Sequence, residues 1–123
     1  MSQPKSKSIA LICHHAPYGS SKARELIDVA LASAAFDQNI SLVFLGAGVL
    51  QLKDEQDPSS IEQKNHGKLL SMLELYDIEN IYALDSAIEE FGLKSENLCA
   101  AANIVDAPTL AKYLQAQDIC MSL

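Results

Sequence analysis

The stretch that most constrains the fold runs from Ser8 to Phe36. Ser8-Ile-Ala-Leu-Ile-Cys13 is six residues without a charge, and it breaks at His14-His15-Ala-Pro-Tyr-Gly19. A continuous apolar run of that length, bounded by Pro and Gly, fits a strand covered on both faces rather than a half-wet one. After Gly19-Ser20-Ser21, the residues Ala23, Leu26, Ile27, Ala30, Leu31, Ala34 and Ala35 recur at helical spacing and share one stripe. Strand, turn and crossover helix make the first half of a βαβ unit. In open α/β sheets, sites sit at the carboxyl ends of strands. The Cys13–Gly19 corner is therefore the first place to look for chemistry.

The rest of the chain repeats the alternation. Ile40–Leu45 reads as a second strand ending at Gly46-Ala-Gly48, followed by an apolar loop patch, Val49-Leu-Gln-Leu52. Ser59-x-x-Glu62 is a capping-box pattern opening a helical region. Gly67 weakens that region, and Leu69, Leu70, Met72 and Leu73 form its apolar face. A third strand lies within Ile78–Leu84, and Ser86-x-x-Glu89 is a second capping box for a short helix that Gly92 ends. Leu98–Val105 is a weaker strand candidate. Asp106-Ala-Pro108 is a helix start, with Asp at the cap and Pro in the first turn; that helix runs to about Gln117. Asp118–Leu123 closes the chain as a fifth strand. Strands alternating with helices predict an α/β fold with a parallel sheet and helices on both faces. Residues 1–123 read as one domain, with 1–7 as a flexible polar tail.

Composition narrows the function. A formal charge of −7 argues against direct grasp of nucleic-acid phosphates. The apolar run after Lys5 and Lys7 is too short for a signal-peptide core, and no stretch is long enough to span a membrane, so a cytoplasmic protein is expected. Three widely spaced cysteines with no C-x-x-C make neither a disulfide framework nor a zinc set. No metal is expected, and His66 has no spacing that would change this. The phosphate-loop pattern and G-x-G-x-x-G are both absent, so no nucleotide cofactor is expected. The Gly19-Ser-Ser-Lys22 helix start could still hold an anion.

Two readings of Cys13 stand side by side. As neighbours two apart in a strand, Cys13 and His15 share a face, and an imidazole there could hold a reactive thiolate. Equally, Cys13 is a small apolar residue ending a core strand. Cys99 and Cys120 read as core, while Tyr18, Tyr76 and Tyr82 read as core or interface residues. Helix one is apolar nearly all round from Val29 to Phe36. With Val49, Leu50 and Leu52, this predicts an oligomer interface. A small-molecule module built on the Gly19 and Gly46–Gly48 loops is a further possibility.

In succession, Ala16-Pro-Tyr-Gly19, Arg24-Glu25, Gly48-Val-Leu-Gln-Leu52 and Leu75-Tyr-Asp-Ile-Glu79 resemble the DsrE/DsrF-like family, nearest to its TusC/DsrF branch. The resemblance covers essentially the whole chain. It implies a three-layer α/β/α fold with a five-stranded parallel sheet. It also implies a heterohexamer with sister DsrE/TusD-like and DsrH/TusB-like subunits, without cofactor. Such complexes pass persulfide sulfur to an acceptor protein, towards 2-thiolation of the tRNA wobble uridine, or in sulfur oxidation. In the family the carrier cysteine of a sister subunit ends the third strand, before a glycine that closes the next helix. Counting back eight residues from Gly92 lands on Leu84, which cannot carry a persulfide. The resemblance thus implies a non-catalytic subunit, with Tyr18, Gly19, Gly48, Leu50 and Tyr76 at its binding and interface surfaces. The rival is a sulfur carrier working through Cys13 with His15.

Overall fold

The computed structural model describes residues 7–16, 22–36, 38–53, 73–76, 78, 80–94, 96, 98 and 102–123. In chain order the elements are β1 (Ser8–Cys13), α1 (Lys22–Ala34), β2 (Asn39–Phe44), β3 (Asn80–Leu84), α2 (Asp85–Glu90), β4 (Asn103–Val105), α3 (Ala107–Gln115) and β5 (Ile119–Ser122). Two 3-10 segments, Gly46–Leu52 and Leu73–Tyr76, lie between β2 and β3. All five strands are parallel and ordered β4-β3-β2-β1-β5.

That order dictates the layers. From β1 to β4 the chain steps one strand at a time in one direction; from β4 it jumps back across the sheet to flank β1. Right-handed crossovers then place the elements of the first three steps on one face and the last helix on the other. The packing agrees. Leu26, Ile27 and Ala30 of α1, Val49 and Leu52, Leu73, and Ala87 and Ile88 of α2 bury with Leu11, Cys13, Leu42, Phe44, Ile81 and Ala83 on one face. On the other, Leu110 of α3 buries with Ala10 and Val43. The result is an α/β/α sandwich, its layers unequal among the described residues. Each fully buried Leu or Phe in the larger core contributes about 2 kcal/mol.

α3 is fastened to its face by polar contacts as well. The hydroxyls of Tyr113 and the buried Ser41 share a short hydrogen bond, and the rings of Tyr113 and Tyr82 lie 4.2 Å apart. Burial, and then the neighbouring Tyr113, push the Tyr82 phenol up from its ordinary pKa. At the start of α3, Asp106 accepts the Thr109 N–H at 2.9 Å, the expected cap, with Pro in the first turn.

Several expectations are corrected by this packing. Val49-Leu-Gln-Leu52 is a 3-10 segment rather than a loop patch, and Val49 and Leu52 are fully buried core. They add nothing to an exposed apolar surface. The Ser86 capping box does not form: helix α2 begins at Asp85, whose own carboxylate accepts the Ser86 N–H at 2.7 Å. The helix does end at Gly92, which takes φ +67. Gly92 and Leu93 donate to Glu89 and Ile88, the paired bonds of a Schellman cap. Among the described residues of Leu98–Val105, Asn103–Val105 is strand and Leu98 makes an isolated antiparallel bridge to Lys53. Helix α1 stops at Ala34, leaving Phe36 three-quarters exposed. Helix α3 ends at Gln115 with Ala116 at its C-cap, within two residues of the expected end. Cys120 is exposed rather than core, because β5 is an edge strand. Cys99, His66, Gly67 and the Ser59 capping box lie outside the described residues.

Candidate functional site

The carboxyl ends of the strands bring four segments to one rim of the sheet. Cys13 stands beside Phe44, Phe44 beside Ala83, and Leu84 beside Val105. The Cys13–Ala16 corner, the Gly46–Leu52 segment, the start of α2 and the start of α3 follow directly from these ends.

At the first end, Cys13 is wholly buried on the α1 face. Its sulfur accepts a hydrogen bond from Gln51 Nε2 at 2.8 Å and lies 3.8 Å from the His15 carbonyl oxygen. Gln51 Nε2 donates to that same carbonyl at 2.8 Å. The Gln51 side chain is itself only 2 % exposed. The Cys13 carbonyl accepts the Leu45 N–H at 3.0 Å. A Cβ on Gly48 would come 2.2 Å from that carbonyl oxygen, so only glycine lets the 3-10 segment close over the strand end. Burial raises the Cys13 thiol above its ordinary pKa, with the contacts to the His15 backbone and Gln51 acting the other way. A raised thiol pKa keeps sulfur neutral at pH 7, the reverse of what a nucleophile needs. Of His15, it is the main chain that meets the sulfur; the side chains of His14 and His15 are exposed.

At the second end, Leu84 closes β3 and Val105 closes β4. The chain leaves Leu84 into α2 on one face and leaves Val105 into α3 on the other. Adjacent strands whose connections part in this way form the crevice where α/β sheets hold their ligands. Leu84 is half-buried there and touches both cores. The flanking acids are Asp85, in the first turn of α2, and Asp106, which caps α3. Hydrogen bonds to Thr109 hold the Asp106 carboxyl below its ordinary pKa. Leu84 places an isobutyl group between these two carboxylates.

The other candidates fall as follows. Gly48 is buried against Cys13, and Leu50 is half-buried in the same 3-10 segment. Tyr76 ends the second 3-10 segment. Tyr18 and Gly19 lie outside the described residues. The residue that sequence reasoning missed is Gln51. Its one signal is a lone amide inside the apolar run Val49–Leu52, a place where a polar side chain has to find partners indoors. Among the described residues no three His, Cys, Asp or Glu side chains group to hold a metal, and no helix is long and apolar enough to cross a membrane.

A five-stranded all-parallel sheet with this strand order and a crevice between β3 and β4 defines an α/β/α sandwich. The chain belongs to the DsrE/DsrF-like family, whose model matches residues 7–123. Among curated relatives, a protein TusC homolog of Pseudomonas aeruginosa is 32% identical over 118 residues, covering 96% of this chain and 99% of its own. One from Aliivibrio fischeri is 38% identical over 113 residues, covering 92% and 96%. One from Vibrio vulnificus is 38% identical over 99 residues, covering 80% and 84%. Among solved structures, the YchN protein of E. coli superposes with a TM-score of 0.79 at 17% identity, over 97% of this chain and 100% of that one. The conserved protein BT1422 of Bacteroides thetaiotaomicron gives 0.65 at 17% identity, over 95% of each chain. At that identity these two speak for the fold alone.

Proposed function

We propose that this chain is a TusC-like, non-catalytic subunit of a cytoplasmic sulfur-relay complex. In this reading it joins DsrE/TusD-like and DsrH/TusB-like sisters in a heterohexamer. The complex passes persulfide sulfur to an acceptor protein, towards 2-thiolation of the tRNA wobble uridine. The observation that carries the reading is Leu84. Counting back eight residues from Gly92, where the resemblance puts the family's carrier cysteine, reaches Leu84, an aliphatic side chain at the end of β3. Family membership and relatives that are TusC homologs along nearly the whole chain support the rest. The buried, neutral Cys13 is better suited to holding the Gln51 latch than to carrying sulfur.

Reconstitution tests this. Sulfur transfer from a cysteine desulfurase to the acceptor is measured with the sister subunits alone, with this chain added, and with its Cys13→Ser variant. The expected result is that transfer requires the chain and survives Cys13→Ser. Transfer that proceeds equally well without the chain, or that stops in Cys13→Ser while assembly persists, contradicts it.

A further inference from the structure

Among the described residues no strand pairs with the outer side of the edge strand β5, which carries an apolar row. Its four residues are all exposed. Ile119 and Met121 are 38 % and 42 % exposed on the face that α1 covers over β1. Natural sheet edges are protected by charge, proline, a bulge or brevity. The opposite edge, β4, has brevity, with three residues. Ile119-Cys-Met-Ser-Leu123 has no charge, proline or glycine. The strand is also tied to β1 at both ends. The Asp118 carboxylate accepts the Ser8 N–H at 2.8 Å, and the Leu123 N–H donates to the Ile12 carbonyl at 2.9 Å.

From this edge we infer that two copies of the chain pair through β5, antiparallel about a two-fold axis passing beside Met121. Register selects this arrangement. Ile12 stands opposite Ser122 and accepts from Leu123, so strand alternation turns the backbones of Ile119 and Met121 toward β1. Those of Cys120 and Ser122 then face the open edge. With the axis at Met121, Cys120 of each copy exchanges both backbone bonds with Ser122 of the other, four in all. Met121 meets its twin as a close non-hydrogen-bonded pair, and Ile119 meets Leu123. The row Ile119, Met121 and Leu123 is thus paired apolar to apolar, while Cys120 faces Ser122. Shifting the axis to Cys120 leaves two such bonds and sets Asp118 against Ser122. Self-complementarity favours a second copy over a foreign segment: the same residues supply both sides of every bond and contact, and Ile119–Leu123 carries no charged side chain to set against its twin. A short strand pair buries less than the roughly 800 Å² per partner of a standard stable interface. The dimer is therefore concentration-dependent, and it tightens with salt as the −7 charge on each copy is screened. This pairing stands apart from the sulfur-relay reading and can fail or hold without it.

The test uses the full chain, alone and again with its sister subunits. In a Cys120→Ser background, Met121→Cys is exposed to a mild thiol oxidant, with peptide mass mapping of the cross-link. Sedimentation equilibrium of wild type and Met121→Lys runs beside it, circular dichroism confirming that each variant folds. Expected are a 121–121 disulfide dimer whose yield rises with concentration, and dimerisation weakened about tenfold or more by the facing lysines. The proposal is overturned by any of three results: no 121–121 cross-link, an unchanged dimerisation constant in Met121→Lys, or a wild-type cross-link through Cys120 to its twin.

Discussion

At the scale of single residues, the corner that draws the eye in the sequence is held by an amide. Gln51 donates to both the Cys13 sulfur and the His15 carbonyl, so one side chain ties the end of β1 to the 3-10 segment after β2. Cys13 and Cys120 differ accordingly. Alkylation with iodoacetamide, mapped by peptide mass, should label the exposed Cys120 in the native protein and Cys13 only once the chain is unfolded. The sign of the pH dependence follows. Cys13 has a folded pKa raised above its unfolded value, so its contribution is fully present below the ordinary thiol pKa of 9.0 and is lost as pH rises past it. Thermal melting of wild type should fall more steeply above pH 9 than that of Cys13→Ala; parallel curves would contradict the assignment.

At the scale of elements, what the sequence makes legible is what is local. The β1–α1 unit stands out because an uncharged run and a helical stripe are both periodic signals. The start of α3 stands out because Asp106 and Pro108 act within one turn. What stays hidden depends on partners distant in sequence. Gly46-Ala-Gly48 looks like a loop, and nothing local says that the segment folds over the Cys13 carbonyl. Ser86-x-x-Glu89 matches a capping box, yet Asp85 reaches the Ser86 N–H first and the helix starts two residues earlier, with Leu84 at the cap. Cys120 looks like core until the strand order puts β5 at an edge. The contact between Gly48 and Cys13 makes its own prediction. Gly48→Ala forces backbone against backbone and should lower stability by about 1–3 kcal/mol in urea unfolding. A variant as stable as wild type would mean that the segment is free to lift.

At the scale of the whole molecule, one topological fact organises the rest. The single jump from β4 to β5 sends α3 to the second face, opens the crevice between β3 and β4, and makes β5 an edge. The crevice opens at the end of β3, where the sequence places Leu84. That pairing of a built crevice with an inert side chain is the core of the functional account, in which the chain supports chemistry on a sister subunit. Intact-protein mass spectrometry after incubation with a cysteine desulfurase and cysteine, with and without the sister subunits, tests it most directly. The account predicts that this chain keeps its mass while a sister gains a sulfur atom. A sulfur gained by this chain and lost in Cys13→Ser would contradict it.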